Sequence, residues 1–415
     1  MPRLVRSHLA AISILLAAGI CSLVNGCNGS PAESENAKVP TGINQSTDAT
    51  SAIAAKDDLT VASEKFRDGD FDAAADAAYR ALVTDPNDSE ASFLTAQIES
   101  ARGNHGVVAD LTAAIHVGSR RGKKALDLRV RSLVQLSRLD EAADALIAGL
   151  QADPDLIAWR HNAWRLLTRI GRREEASDQA HLLCLLGQAN TQELLSLIRR
   201  NDAFPAVLAD GDDPAKYFEP GLGMARWYFT QEKYRRALEE LASQYETTFQ
   251  SSAACQLYGR LLAETQAFEE IPRWHTKCGD DAKNHSDYWA ALGTFFFDQR
   301  QYEASARALL TAVQRNPTDR FSTQRLAKVF DALERPEDGA QFRHRGIEMY
   351  KVERDAKALT LSPADTGTRQ RMTRRVMELG HPFQALQWTL LSLPVQAQQQ
   401  KAIVNQQRNA LLQSQ

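Results

Sequence analysis

The sequence predicts an all-α fold built from repeated helical hairpins, and three observations carry that prediction. After residue 54, Ala, Leu, Glu, Arg and Gln dominate, and β-branched residues do not alternate with polar ones over any sustained run. Small residues recur at a step of 34 positions, at Gly69, Gly103, Ser137 and Gly171. A second register with the same step follows, at Tyr234, Phe268 and Tyr302. A fixed period of this length is typical of stacked units that bury one another's apolar faces.

The first element in chain order is an export signal over residues 1–26. Arg3 and Arg6 precede a mostly apolar run from Leu9 to Leu23, which is the order of charges and apolar residues in a signal peptide. The run falls short of the ~18 residues that a membrane-spanning helix needs. The signal predicts a protein that is exported to the periplasmic side of the bacterial cell envelope.

The stretch "LVNGC" at the end of the signal resembles a bacterial lipobox, in which Cys27 is lipidated after cleavage behind Gly26. Asn25 departs from that pattern, because a small or apolar residue is usual there. Ordinary signal cleavage, with Cys27 as an incidental thiol, is the alternative. Residues 27–54 are polar and nearly free of large apolar side chains, so we expect a disordered linker, as a lipid-tethered protein needs.

The remaining chain divides by register. We expect a first array of about four repeats over residues 55–190 and a second array of about four over residues 218–353. The interval from Phe71 to Tyr234 is not a multiple of 34, so residues 191–217 are predicted to form an irregular connector of one helix and a loop. Residues 354–415 are predicted to form a terminal helical hairpin and a capping helix.

The repeat resembles the tetratricopeptide repeat, a 34-residue pair of antiparallel helices. The unit that begins at Ser286 carries the family's residues at matching positions: Trp289, Leu292, Gly293, Phe296, Ala312 and Pro317. It departs at its twentieth position, where Ser305 replaces the usual Ala. The resemblance implies a right-handed α-solenoid, here in two arrays, whose first helices line a concave groove.

The predicted groove is rich in basic residues at the ninth position of its units. We expect it to be lined by Arg131, Arg165, Arg226, Arg260 and Lys328. Peptide-binding members of the family use such residues to hold carboxylates, and the guanidinium fork of Arg pairs bidentately with that group. The resemblance therefore implies an acidic protein or peptide partner. Solvated residues that merely keep the surface soluble are the alternative.

No catalytic or cofactor-binding motif appears in the sequence. It lacks a glycine-rich phosphate loop, an HExxH motif, a G-x-S-x-G motif and paired CxxC motifs. The single HxxC pair of His275 and Cys278 is too few ligands for zinc. Without residues 1–26 the chain has 47 Lys and Arg against 52 Asp and Glu, a balance of −5, which disfavours nucleic acid as a partner. We expect a protein that is not an enzyme and uses no cofactor or metal.

Two cysteines occupy positions that an antiparallel hairpin brings together. Cys255 stands near the start of the first helix of its unit, and Cys278 near the end of the second. An exported protein can oxidise such a pair to a disulfide. Two small buried side chains that fill core positions are the alternative.

These observations predict a non-enzymatic scaffold of the bacterial cell envelope that binds partner proteins and meets the membrane only through a lipid on Cys27. The alternative is an accessory protein that positions glycan or peptidoglycan for a separate enzyme. The sequence does not name the partner, since a fold does not specify a function.

Overall fold

The computed structural model describes residues 45–198, 213–244, 248–362 and 364–414, and within these ranges the chain is helical with no β-strand. The α-helices are α1 (Gln45–Asp68), α2 (Phe71–Thr84), α3 (Ser89–Ala101), α4 (His105–Ala113), α5 (Gly122–Gln135), α6 (Leu139–Ala152), α7 (Ile157–Ile170), α8 (Arg173–Leu185), α9 (Thr191–Ile198), α10 (Leu222–Thr230), α11 (Tyr234–Ala242), α12 (Ser252–Glu264), α13 (Ile271–Lys277), α14 (Ser286–Asp298), α15 (Tyr302–Arg315), α16 (Arg320–Ala332), α17 (Pro336–Leu361), α18 (Thr366–Glu378), α19 (Pro382–Ser392) and α20 (Gln398–Gln413). The all-α prediction is confirmed.

The chain forms two compact units, one ending at Asp153 and the other running from Pro154 to Ser414. Unit 1 contains the hairpins α1/α2, α3/α4 and α5/α6, and consecutive helices pack against each other. Alanines dominate its first core cluster, together with Ile98. Small side chains let the two helices of a hairpin approach closely, while Ala also has the strongest helix propensity. Asp70 and Asp88 cap α2 and α3 by accepting hydrogen bonds from backbone N–H groups.

Unit 2 contains six hairpins, one unpaired helix and a final helix. The hairpins are α7/α8, α10/α11, α12/α13, α14/α15, α16/α17 and α18/α19, with α20 against α19. The unpaired helix α9 packs against α8, α17 and α19, and Gln387 on α19 donates a hydrogen bond to the carbonyl of Ala189 at 2.6 Å. Early and late helices of unit 2 therefore meet, and the array closes on itself.

Four boundaries differ from the sequence-based expectations. Helix α1 begins at Gln45, so ten residues assigned to the disordered linker 27–54 are helical. Helix α9 begins 34 residues after α7, so it continues the first register as one more first helix and belongs with the repeats. Helix α17 runs past residue 353 to Leu361. The division between compact units falls after Asp153, inside the predicted first array. Residues 1–44 and 199–212 lie outside the described residues.

A residue in the left-handed conformation separates the two helices of most hairpins. The positive φ angles recur in two runs with a step of 34, at Gly69, Gly103, Ser137 and Gly171, and at Glu232, Gln266, Arg300 and Glu334. The following residue donates its N–H to the carbonyl five positions back, as Gln301 does to Phe296 at 2.8 Å. This is the hydrogen bond that terminates a helix at a left-handed residue. The 34-residue period is thus a period of turn geometry.

Substituting Arg300 by Gly is expected to stabilise unit 2 by about 1 kcal/mol. A non-glycine side chain is strained at a φ of 57°, and Gly adopts this region without that cost. Urea unfolding followed by tryptophan fluorescence measures the change, because all six Trp residues lie in unit 2. Arg307→Gly is the control, since it places Gly inside α15 and should destabilise by about 1 kcal/mol. Equal destabilisation by both variants would contradict the prediction.

Glycine at the eighth position of two units permits close contact between paired helices. A Cβ atom on Gly259 would lie 2.0 Å from Cζ2 of Trp274, and one on Gly293 would lie 2.6 Å from Cγ of Leu309. Trp274 is 1% exposed, and its Nε1 donates to the carbonyl of Cys255 at 2.8 Å. The indole therefore has no room to move away from α12.

The variant Gly259→Ala is expected to lower the stability of unit 2 by about 1–3 kcal/mol, because the added methyl group overpacks the contact with Trp274. Gly279→Ala is the matched control, since a Cβ there meets no atom within 4 Å. Thermal unfolding of the two variants compares them directly. Identical melting temperatures would mean that α12 and α13 do not pack as described.

Candidate ligand groove

The five predicted groove residues fall into two environments. Arg131, Arg165 and Lys328 are exposed. The Nε of Arg131 donates only to the backbone carbonyl of Asp127 in its own helix, at 3.4 Å. Among the described residues, Arg165 and Lys328 make no ion pair. These three side chains remain available to a ligand.

Arg226 does not line a groove. It lies on α10, and its Nη1 donates to Oδ2 of Asp287 on α14 at 2.6 Å. Both side chains are 1% exposed. The prediction that Arg226 binds a ligand is therefore wrong, because its charge is already neutralised inside unit 2.

Arg260 is wrong for the same reason and is held by more partners. From α12 it contacts Asp319 at 2.9 Å and Ser322 at 3.1 Å, both at the start of α16. Its Nε donates to Glu264 at 2.8 Å, and Glu264 in turn accepts a hydrogen bond from Arg325 at 2.8 Å. The side chain of Arg260 is fully buried.

Charge pairing dominates the titration of this cluster. Burial by itself raises the pKa of Asp319 and of Glu264, but the positive charge of Arg260 outweighs it and holds both pKa values below their usual range. Burial also lowers the pKa of Arg260, and the two carboxylates more than offset this and raise it. All three groups are therefore charged near neutral pH. The cluster is a structural ion-pair network, and it leaves no charge for a ligand.

Helix α9 supplies a further set of internal contacts to the first helix α7. His161 pairs with the fully buried carboxylate of Glu193, and Trp164 Nε1 donates to Ser196 Oγ at 3.2 Å. These residues are 32 positions apart, close to one repeat. The stacking of α9 on α7 thus repeats the stacking of first helices elsewhere, which the sequence analysis missed although the 34-residue step reaches Thr191.

The structure joins Cys255 and Cys278 in a disulfide with Cα atoms 6.3 Å apart. It ties α12 to the residue that ends α13. Because Cys278 is in this bond and His275 contacts the hydroxyl of Tyr288 at 2.7 Å, the HxxC pair is not a metal site. Cys184 is a buried free thiol whose pKa burial raises to about 12. Cys27 lies outside the described residues.

Two further surveys of the described residues bear on chemistry and on membrane insertion. Within those ranges, no group of three or more His, Cys, Asp and Glu side chains could hold a metal ion. No helix in the same ranges is long and apolar enough to cross a bilayer.

Helical hairpins that recur every 34 residues, with a left-handed residue between their helices, define a tetratricopeptide-type α-solenoid. No protein-family description and no curated protein matches the chain. A tetratricopeptide repeat protein from Parabacteroides merdae is 12% identical, with 67% of this chain and 99% of that chain covered and a TM-score of 0.29. Yeast Tom70 is 12% identical, with coverages of 86% and 95% and a TM-score of 0.25. The Cut9–Hcn1 structure is 10% identical, with coverages of 88% and 99% and a TM-score of 0.26. These values are too low to bear on function.

Proposed function

We propose that the protein is a non-enzymatic scaffold of the bacterial cell envelope that binds a partner protein through the first-helix face of unit 1. This face comprises the exposed side of α1, α3 and α5. One observation carries the proposal: the ninth position of the repeat is open in unit 1, whereas the same position is buried in ion pairs at Arg226 and Arg260 of unit 2.

The ninth positions of unit 1 are Ser63, Gln97 and Arg131, spaced by 34 residues. Ser63 and Gln97 are half-buried and Arg131 is exposed. Within the described chain, the Ser63 and Gln97 side chains make no hydrogen bond to another residue. Polar groups in a regular row at 34-residue intervals suit the backbone and side chains of an extended partner segment.

The acidity of the partner is no longer part of the proposal. Two of the five basic residues that suggested it are buried, and on unit 1 only Arg131 remains of that row. Its neighbours on α5 include the exposed Lys124 and Asp127, which have opposite charges. The face is therefore polar and mixed in sign, and mixed charge favours a partner of matching pattern over a simple acidic tract.

Photo-crosslinking tests this assignment. A benzophenone amino acid at Gln97 or Arg131 is expected to capture the same discrete partner in envelope preparations. The same group at Asp76, which is exposed on the second helix α2, is the control and should not capture it. Capture from Asp76 with equal yield, or no protein adduct from Gln97 and Arg131, would refute the proposed face. An adduct that is removed by a muramidase would instead indicate the glycan-binding alternative.

Attachment to the envelope is proposed to depend on a lipid at Cys27. The motif "LVNGC" and the polar segment behind it support this proposal, as does the Cys255–Cys278 disulfide, since disulfides persist in oxidising compartments. The variant Cys27→Ser is expected to lose acyl labelling and to move from the membrane fraction to the soluble fraction. Cys21→Ser is the control and should keep both properties. An unlabelled, soluble wild-type protein would end the lipid-anchor proposal.

A further inference from the structure

A polar cavity of about 270 Å³ lies in unit 2, apart from the ion-pair network and from the face of unit 1. Three segments enclose it: the residues after α8, the end of α19 and one side of α20. Its lining residues are Gly187, Gln188, Gln387, Leu390, Leu391, Lys401, Asn405 and Arg408. With ~30 Å³ per water molecule, the cavity is large enough for a small organic molecule.

The charge of this cavity is entirely positive. Lys401 and Arg408 line it, and none of the eight lining residues is acidic. Lys401 donates from Nζ to the backbone carbonyl of Val395 at 3.2 Å. Neither cation makes an ion pair with any described residue. Two cations one helical turn apart from each other through Asn405 therefore face the same space without a compensating charge.

The packing around Arg408 holds its guanidinium at the cavity wall. A Cβ atom on Gly187 would lie 1.4 Å from Nη1 of Arg408, so only Gly at position 187 leaves room for this side chain. A cation beside the carbonyl end of α8 also stabilises that helix, which accounts for Arg408 by itself. It does not account for Lys401, which is on the preceding turns of α20.

Two buried polar atoms beside the cavity have unmet hydrogen-bonding capacity. Gln387 is 3% exposed, and its Nε2 donates to the Ala189 carbonyl, while its Oε1 has no partner in the described residues. The Nε of Arg408 is likewise buried without a partner there. Unsatisfied buried groups are costly and uncommon in folded proteins, and they occur here beside a cavity lined by cations and amides.

We propose that this cavity binds a small organic anion. Its carboxylate or phosphate would contact Lys401, Asn405 and Arg408, and a short apolar part would pack on Leu390 and Leu391. Cations and amide groups are the donors that bind such anions, while the two leucines reward an apolar substituent with burial. The proposal is independent of the partner-binding face of unit 1.

Isothermal titration of the full chain at constant ionic strength tests the proposal with four probes: phenyl phosphate, inorganic phosphate, butyrate and acetate. The organic anions are expected to bind more tightly than inorganic phosphate and acetate, respectively. The phosphate and carboxylate pairs distinguish the two anionic groups. Added salt is expected to weaken all of them, since screening reduces the attraction of partly exposed charges.

Matched variants on α20 identify the site. Asn405→Asp places a carboxylate at the cavity wall and is expected to weaken binding at least about tenfold. Asn409→Asp makes the same change at an exposed position one turn away and should leave binding unchanged. Circular dichroism verifies that both variants fold. Equal losses in both variants would mean nonspecific attraction, and absence of heat with every probe would mean that the cavity binds no small anion; either result overturns the proposal.

Discussion

Replacing Arg260 by Ala is expected to destabilise unit 2 by about 3–5 kcal/mol, because removing one partner leaves uncompensated buried charges. Asp319 and Glu264 would then remain with side chains 3% and 7% exposed. Urea unfolding monitored by tryptophan fluorescence measures the loss. Arg165→Ala removes an exposed Arg from α7 and should change stability by less than about 0.5 kcal/mol. Similar effects of the two variants would contradict the buried network.

A second measurement separates lost charge pairing from lost packing. The triple variant Arg260→Met, Asp319→Asn and Glu264→Gln removes all three charges and should recover much of the stability that Arg260→Ala loses. Recovery would show that unpaired charge is the main cost. No recovery would assign the loss to the shape of the Arg260 side chain.

The same network predicts how stability depends on pH. The folded-state pKa values of Asp319 and Glu264 are lowered, so their contribution is fully present above the unfolded-state values of ~4. It is lost as the pH falls from ~4 through the lower folded-state values. In Arg260→Ala the carboxylates lose the group that lowers their pKa, and the acid-dependent part of the stability should shrink.

Loss of the Cys255–Cys278 disulfide is expected to cost about 3 kcal/mol. The bond closes a loop with a sequence separation of 23 residues, and constraining a loop of that length in the unfolded chain gives this magnitude. The double variant Cys255→Ala, Cys278→Ser should therefore unfold at lower urea concentration than the oxidised protein. Adding a phosphine reductant to the wild type should reproduce the effect.

The double variant is also the control for the reductant, which should not change its stability further. Labelling of thiols under denaturing conditions counts the oxidised pair, with Cys184 as the internal free thiol. Equal urea midpoints for oxidised and reduced wild-type protein would contradict the predicted contribution.

The sequence by itself determined the repeating unit. Its 34-residue step marks the turn in each hairpin, and the left-handed residues from Gly69 to Gly171 fall on that step because every unit reverses its chain in the same way. Cys255 and Cys278 could be placed near each other for a similar reason, since both belong to one hairpin and its geometry is local. Short-range patterns of this kind depend on neighbouring residues alone.

Only the tertiary structure decided which basic residues are available to a ligand. Arg131 and Arg260 occupy the same position in their units, yet Arg131 is exposed and Arg260 is buried. The difference comes from Asp319, which is 59 residues from Arg260 and reaches it only because unit 2 closes on itself. The same closure brings Gly187 to Arg408 and so forms the polar cavity. A charge pattern states what each helix carries, but the stacking of distant helices determines whether that charge faces solvent or another side chain.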